Sequence, residues 1–461
     1  MLQAHSALRA FLRKYVVSSV LAVIPVLAAG SAWAADSGKK VEPAVRLLSS
    51  VPIPVSAFNT GTGTFSYDIS YVDQSTGTYY LADRSNKAVD ALFAETIVTQ
   101  IFPNNGHAPF AGFTPCVPPA GANDCAGPNG VVAAFPWLFV TDAPSRVLSF
   151  DLRTNPPTTV SEVDLLAGEP TRADELAYDP KDGLILAINN ASTPPVATLV
   201  AVDKATGGLT LVKNIFLDVA HGVDAQNGAE QPVWDPGTQK FFLSIPQIGT
   251  NPTVGGVIRI SITGTVEATY TVTFCSPAGL ALGPNEDLLV GCNTIWDTTG
   301  ALWTGNADRR TNTAAPQLVI LDAKTGAITA NIAGAGVGDE VWFNSGDNHY
   351  YAAASGSNLA PNAIFPARPP VGTATTAPVN VSQGAATLDV IDALSETLDQ
   401  RVPTFNVPAD PAGSHPAGTA HSVAADASTN HVFVPIAANN AVPNCLSGCI
   451  TIYGRYDPDK D

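Results

Sequence analysis

From about residue 45 onward the chain runs in short apolar bursts separated by turn residues. Seven of these bursts align with one another: "DISYVD" (68–73), "NGVVAA" (129–134), "DELAYD" (174–179), "EQPVWD" (230–235), "AGLALG" (278–283), "DEVWFN" (339–344) and "HSVAAD" (421–426). Each is followed by a second run rich in β-formers, among them "YYLAD", "WLFVTD", "LILAINN", "FFLSIP" and "VFVPIA". Runs this short and this apolar predict buried strands. A third run closes on Asp and a turn, as in "TLVAVDKATGG" and "QLVILDAKTG". There Asp supplies a local acceptor and Gly a positive φ. A fourth follows, as in "LTLVKNIF" and "VEATYTVTF".

Four strands repeated every 40–50 residues or so predict the blades of a propeller. The last copy stops after its third strand, "CITIYGRY", and "VRLLSSVPIP" (45–54) stands ready before the first copy to supply the fourth. Joining the two ends in one blade leaves no open edge. The expectation is therefore an all-β, seven-bladed β-propeller of four-stranded blades, closed by an N-terminal strand that completes the last blade. Six blades are the alternative, because "NGVVAA" is the weakest match.

Composition agrees with many short strands: 38 Gly and 37 Pro in 461 residues, with 14% charged. The first 34 residues read as a signal peptide, with basic Arg9, Arg13 and Lys14, an apolar run from Val16 to Ala29 and a small-residue "AWA" end. The run is interrupted by serines and a proline and is too short for a stable membrane anchor. Cleavage near Ala34 leaves a single domain, 35–461, in the periplasm or secreted, and a monomer is expected. Removing three basic residues and no acidic one takes the formal charge from −17 to −20. A surface so acidic repels nucleic acid. The six cysteines form three close pairs, Cys116/Cys125, Cys275/Cys292 and Cys445/Cys449. In an exported chain these predict local disulfides, and "CLSGC" is read as a disulfide in preference to a metal site.

Candidate chemistry lies at the start of the first strands, which in a propeller line the central channel. The first aligned positions are Asp68, Asn129, Asp174, Glu230, Ala278, Asp339 and His421; the next include Glu175, Gln231 and Glu340. Crowded carboxylates need raised pKa values or a cation. Ca²⁺ or Mg²⁺ suits oxygen ligands, here Asp68, Asn129, Asp174, Glu230 and Asp339; His421 would also admit a transition metal. Glu230, Asp339 and His421 are the catalytic candidates. Glu175, Glu340, Gln231 and, from a nearby loop, His221 are the candidates for binding a small-molecule ligand or substrate. The competing reading is structural: acids at strand starts also cap loops by accepting backbone N–H bonds. Long insertions at 104–130 and 354–384 would shape an entrance. His107 sits in the first of them. His349 and His431 recur in turns before second strands, where a structural role is expected. Motifs for serine hydrolases, P-loops, dinucleotide binding, zinc proteases and covalent haem are absent.

The blade rhythm and turns such as "VDKATGG" and "ILDAKTG" resemble the broad group of YVTN, NHL and gluconolactonase-like propellers, over nearly all of the chain beyond the leader. That resemblance implies a lactonase, a lyase or a non-catalytic binding protein. Gluconolactonase-like enzymes use Glu, Asn and Asp from separate blades around a metal, and Glu230, Asn129 and Asp339 supply those types. The functional expectation is an exported propeller with an acidic channel site, a metal-dependent hydrolase (lactonase- or esterase-like) or lyase; the alternative is a non-catalytic ligand- or protein-binding scaffold.

Overall fold

The computed structural model describes residues 43–61, 63–64, 66–114, 116, 121, 123–301, 318–336, 338–354, 387–404, 421–438 and 442–455. The chain divides after Glu42 into two units, and the described residues all belong to the second, Pro43–Asp461. The expected signal peptide and residues 355–384 of the second insertion lie outside the described residues.

Seven antiparallel sheets of four strands make up this unit. Six are built from consecutive strands, within 70–101, 131–164, 176–216, 232–273, 275–332 and 338–403. The seventh joins Ala424–Asp426, His431–Ile436 and Cys449–Arg455 to the N-terminal strand Val45–Pro52. Val45 pairs with Arg455 and Val51 with Ile450. The weakest sequence match is a full blade, so the count is seven. No helix among the described residues is long and apolar enough to cross a membrane.

Local chemistry explains the repeat. Asp73, Asp179, Asp235 and Asp426 end first strands and accept the backbone N–H two residues on, at 2.8–2.9 Å. Such Asx turns reverse the chain into the second strand. In the third blade Asp203 does the same for Ala205, and Gly207 completes the turn at φ 76°. A Cβ on Gly207 would stand 2.7 Å from the Trp137 ring of the blade before, so both φ and space demand glycine. Second strands such as Trp137–Asp142 are buried throughout. The outermost strand Val266–Thr273 alternates between buried and exposed positions, as one wet face requires.

The core lies between the blades. Each of the seven apolar clusters among the described residues joins two neighbours, as Phe139 and Val147 of the second blade meet Leu176 and Ile185 of the third. A single blade cannot bury both faces, so the blades stabilise one another around the ring. First strands of successive blades lie side by side through all seven junctions and form the inner wall. The expected disulfides Cys116–Cys125, Cys275–Cys292 and Cys445–Cys449 are all present.

Candidate functional site at the channel mouth

Main-chain hydrogen bonds set the candidate residues at one depth. Asp68, Asn129, Asp174 and Glu230 each donate their N–H to the second strand, to Ala82, Thr141, Ile188 and Ser244 in turn (2.7–3.0 Å). Ala82, Thr141, Ile188 and Ser244 each donate back to the residue that follows. The same two bonds in four blades fix four side chains at equivalent places.

The acids do not meet unaccompanied. Arg84, in the turn just after the second strand of blade one, makes an ion pair with Asp68 and donates from Nε to Asn129 Oδ1 at 2.9 Å. Arg172, two residues before Asp174, holds Asp174 Oδ2 at 2.7 Å and lies 4.0 Å from Asp68. His421 stands between Asp339 (Nδ1, 2.8 Å) and Asp68 (Nε2, 3.3 Å). Neither arginine belongs to the repeated positions. The signal available in the sequence was the requirement that buried carboxylates find cations, together with Arg172 immediately before "ADELAYD".

Electrostatics sort these groups into two kinds. Burial opposes ionisation of Asp68, but Arg84, His421 and Arg172 overcome it and hold its carboxyl well below the usual range. Burial works against a charged His421, but Asp339 and Asp68 raise it to about 10, so it is an imidazolium. Burial lifts Asp174 to about 6 against the pull of Arg172. The three glutamates are different. Burial raises Glu340 to about 8, opposed by Ser422, His421 and the Val423 N–H. Glu175 and Glu230 are pushed well above the ordinary range by burial and then by neighbouring carboxylates. At neutral pH the mouth therefore holds salt-bridged carboxylates beside uncharged carboxylic acids.

The other candidates are engaged in other ways. Asn129 is fully buried, and its amide is occupied: Nδ2 donates to Ala126 O at 3.0 Å and Ala173 O at 2.8 Å. Gln231 Oε1 accepts from Leu280 N of the next blade at 2.7 Å, a blade-to-blade tie. His221 is exposed in a 3₁₀ turn, bonded to Asp218 at 2.6 Å, and makes no ion pair with the ring. His349 bonds Asp347 O within the turn before its strand (2.8 Å), whereas His431 reaches across to Glu95 of blade one (2.6 Å). His107 pairs with Glu162 at 2.9 Å. Beside the ring, a cavity of about 740 Å³ between the loops of blades three and four is lined by Asp124, Asn190, Asp218, Asp224 and Glu230.

Among the described residues no three His, Cys, Asp or Glu side chains are grouped to hold a metal ion. Asp68 and Asp174 have guanidinium groups on them. The buried carboxyl oxygens without a partner in this ring are Glu175 Oε2 and Glu340 Oε1.

No protein-family model matches the chain, and no curated protein does. Among solved structures 1376 chains match. One of them, in a structure titled "Crystal Structure of Mitotic Checkpoint Complex", is similar over 96% of this chain and 100% of its own, at 11% identity and a TM-score of 0.51. At that identity the likeness is one of fold alone, and the chain's own seven four-stranded sheets make it a seven-bladed β-propeller. Propellers host many unrelated functions, so function has to be argued from the site.

Proposed function

We propose that the protein is an exported propeller of the YVTN, NHL and gluconolactonase-like kind, and that its channel mouth binds a small molecule and cleaves it by hydrolysis or elimination. The observation that carries the reading is the juxtaposition of ionised and uncharged acids in one buried ring next to an open cavity. Groups whose environments drive their pKa values apart are what acid–base chemistry at neutral pH requires. Glu230, which borders both ring and cavity, is the proton donor. His421, charged and oriented by Asp339, stabilises developing negative charge on an ester or lactone oxygen. Glu175 and Glu340 line the binding site.

A metal-dependent form of this reading would place Ca²⁺ or Mg²⁺ at the ring, where among the described residues no three carboxylates are grouped to hold it. To reach Asp68 and Asp174, the cation would have to displace Arg84 and Arg172. A binding protein without turnover is the second reading. It is favoured by the pairing of Asp68, Asp174 and Asp339 with cationic partners, as in a structural network. The three disulfides suit an oxidising compartment. N-terminal sequencing of the exported protein checks cleavage near Ala34, and light scattering checks the monomer.

The deciding experiment is elemental analysis of the purified protein, then a panel of small lactones and esters assayed with and without chelator. Turnover abolished by Glu230→Gln, with folding intact, supports catalysis. Binding without turnover supports the second reading, and neither binding nor turnover rejects the site.

A further inference from the structure

Three blades carry a carboxyl or amide side chain at the second aligned position, Glu175, Gln231 and Glu340, and two of these accept an N–H from the next blade. In blade four Gln231 accepts the N–H of Leu280, in the next blade, at 2.7 Å. In blade six Glu340 accepts the N–H of Val423, in the next blade, at 3.0 Å. In both cases the donor is the third aligned residue of the following blade. Glu175 holds the same position in blade three: Ile188 donates to its carbonyl as Ser244 donates to that of Gln231. The third aligned residue of blade four is Pro232, which pairs with Leu243 and has no N–H to give. Glu175 Oε2 is accordingly buried without a partner, in a residue only 8% exposed.

A buried carboxylate deprived of a donor costs several kcal/mol or more, and the group keeps its proton instead. Its neighbours act in the same direction: Asp174, Glu230, Glu340 and Asp68 all oppose a negative charge there. We infer that Glu175 serves the channel mouth as an uncharged hydrogen-bond donor to a neutral acceptor, such as the carbonyl oxygen of a lactone or ester, and that Pro232 reserves it for that role. The inference rests on the channel-mouth reading for its ligand and on the Glu175–Pro232 register for its unpartnered oxygen. An arginine would serve an anionic ligand better, but Arg84 and Arg172 are both engaged by carboxylates. The donor left over in this wall is a carboxylic acid.

The test uses the full mature chain and three variants, Glu175→Gln, Glu175→Leu and Pro232→Ala, each first checked for folding by circular dichroism. Infrared difference spectra at pH 7 read the proton directly. A protonated-carboxyl band present in the wild type and lost in Glu175→Gln is expected. Pro232→Ala supplies the missing N–H, so the band should shift in frequency while the group keeps its proton, as Glu340 does while it accepts the Val423 N–H. Binding of δ-valerolactone, followed by calorimetry, should weaken about tenfold in Glu175→Leu and in Pro232→Ala, the worth of one hydrogen bond to a buried group. A wild type with no protonated band assignable to Glu175, or a band unchanged in Pro232→Ala, overturns the inference. If the band behaves as expected but the wild type binds no lactone, the donor role falls with the channel-mouth ligand and the Glu175–Pro232 register stands. The two failures are thereby distinguished.

Discussion

Arg172 Nη2 lies 2.7 Å from Asp174 Oδ2, in a wall where neither side chain is more than 13% exposed. Removing one member of such a pair leaves a buried charge without compensation. Arg172→Met is expected to cost about 3–5 kcal/mol at pH 7. The loss should shrink as pH falls and the stranded carboxyls take up protons. Urea unfolding at pH 7 and pH 5 checks both statements; equal losses at the two pH values would contradict the ion-pair account.

His421 gives a pH dependence of the opposite kind. Its folded-state pKa, raised to about 10 by Asp339 and Asp68 against the effect of burial, lies above the ordinary 6.5. Its contribution is complete below pH 6.5 or so, and is lost as pH rises through about 10. The melting temperature of the wild type should therefore fall across this window, and His421→Gln should flatten that part of the curve. Proton NMR of the imidazole reads the titration directly.

Glu340 is an acid raised by burial to about 8 from an ordinary 4.5. The folded state holds its proton more firmly than the unfolded chain does, so its contribution to stability declines between these two values as pH rises. Glu340→Gln keeps an acceptor for Val423 N and removes the ionisation; Gln231 already plays that part for Leu280 in blade four. Relative to wild type, the variant should gain stability by about 1.4 kcal/mol per pH unit across that window. Parallel denaturation curves at pH 5 and pH 8 measure the gain.

Deleting residues 35–52 removes the strand that pairs with Cys449–Arg455. An uncovered edge is a template for other chains. The truncated protein should associate or precipitate more readily than the chain that keeps this strand, as read by light scattering. A monomeric, equally stable truncation would show that closure contributes little.

The blades were legible because the features that make them are local. Asp179 and Asp235 build turns within a few residues of themselves, and Asp203 with Gly207 does so again one strand later. The common depth of Asp68, Asn129, Asp174 and Glu230 was legible for the same reason, since one pair of backbone bonds recurs in each blade. Partners that cross the ring were not. Arg84 and Arg172 stand outside the repeat, and although each meets a carboxylate of its own blade, the approach of Arg172 to Asp68 and the place of His421 between Asp68 and Asp339 need the ring closed. The tie between Gln231 and Leu280 was hidden too, because it depends on what the following blade offers at a register no single repeat contains.

The seventh sheet unites Val45–Pro52 with Cys449–Arg455, strands made first and last among those of the ring. During synthesis, every nascent chain that has not reached residue 449 lacks the partner for its own beginning. Completion of the ring must then await release of the last segment.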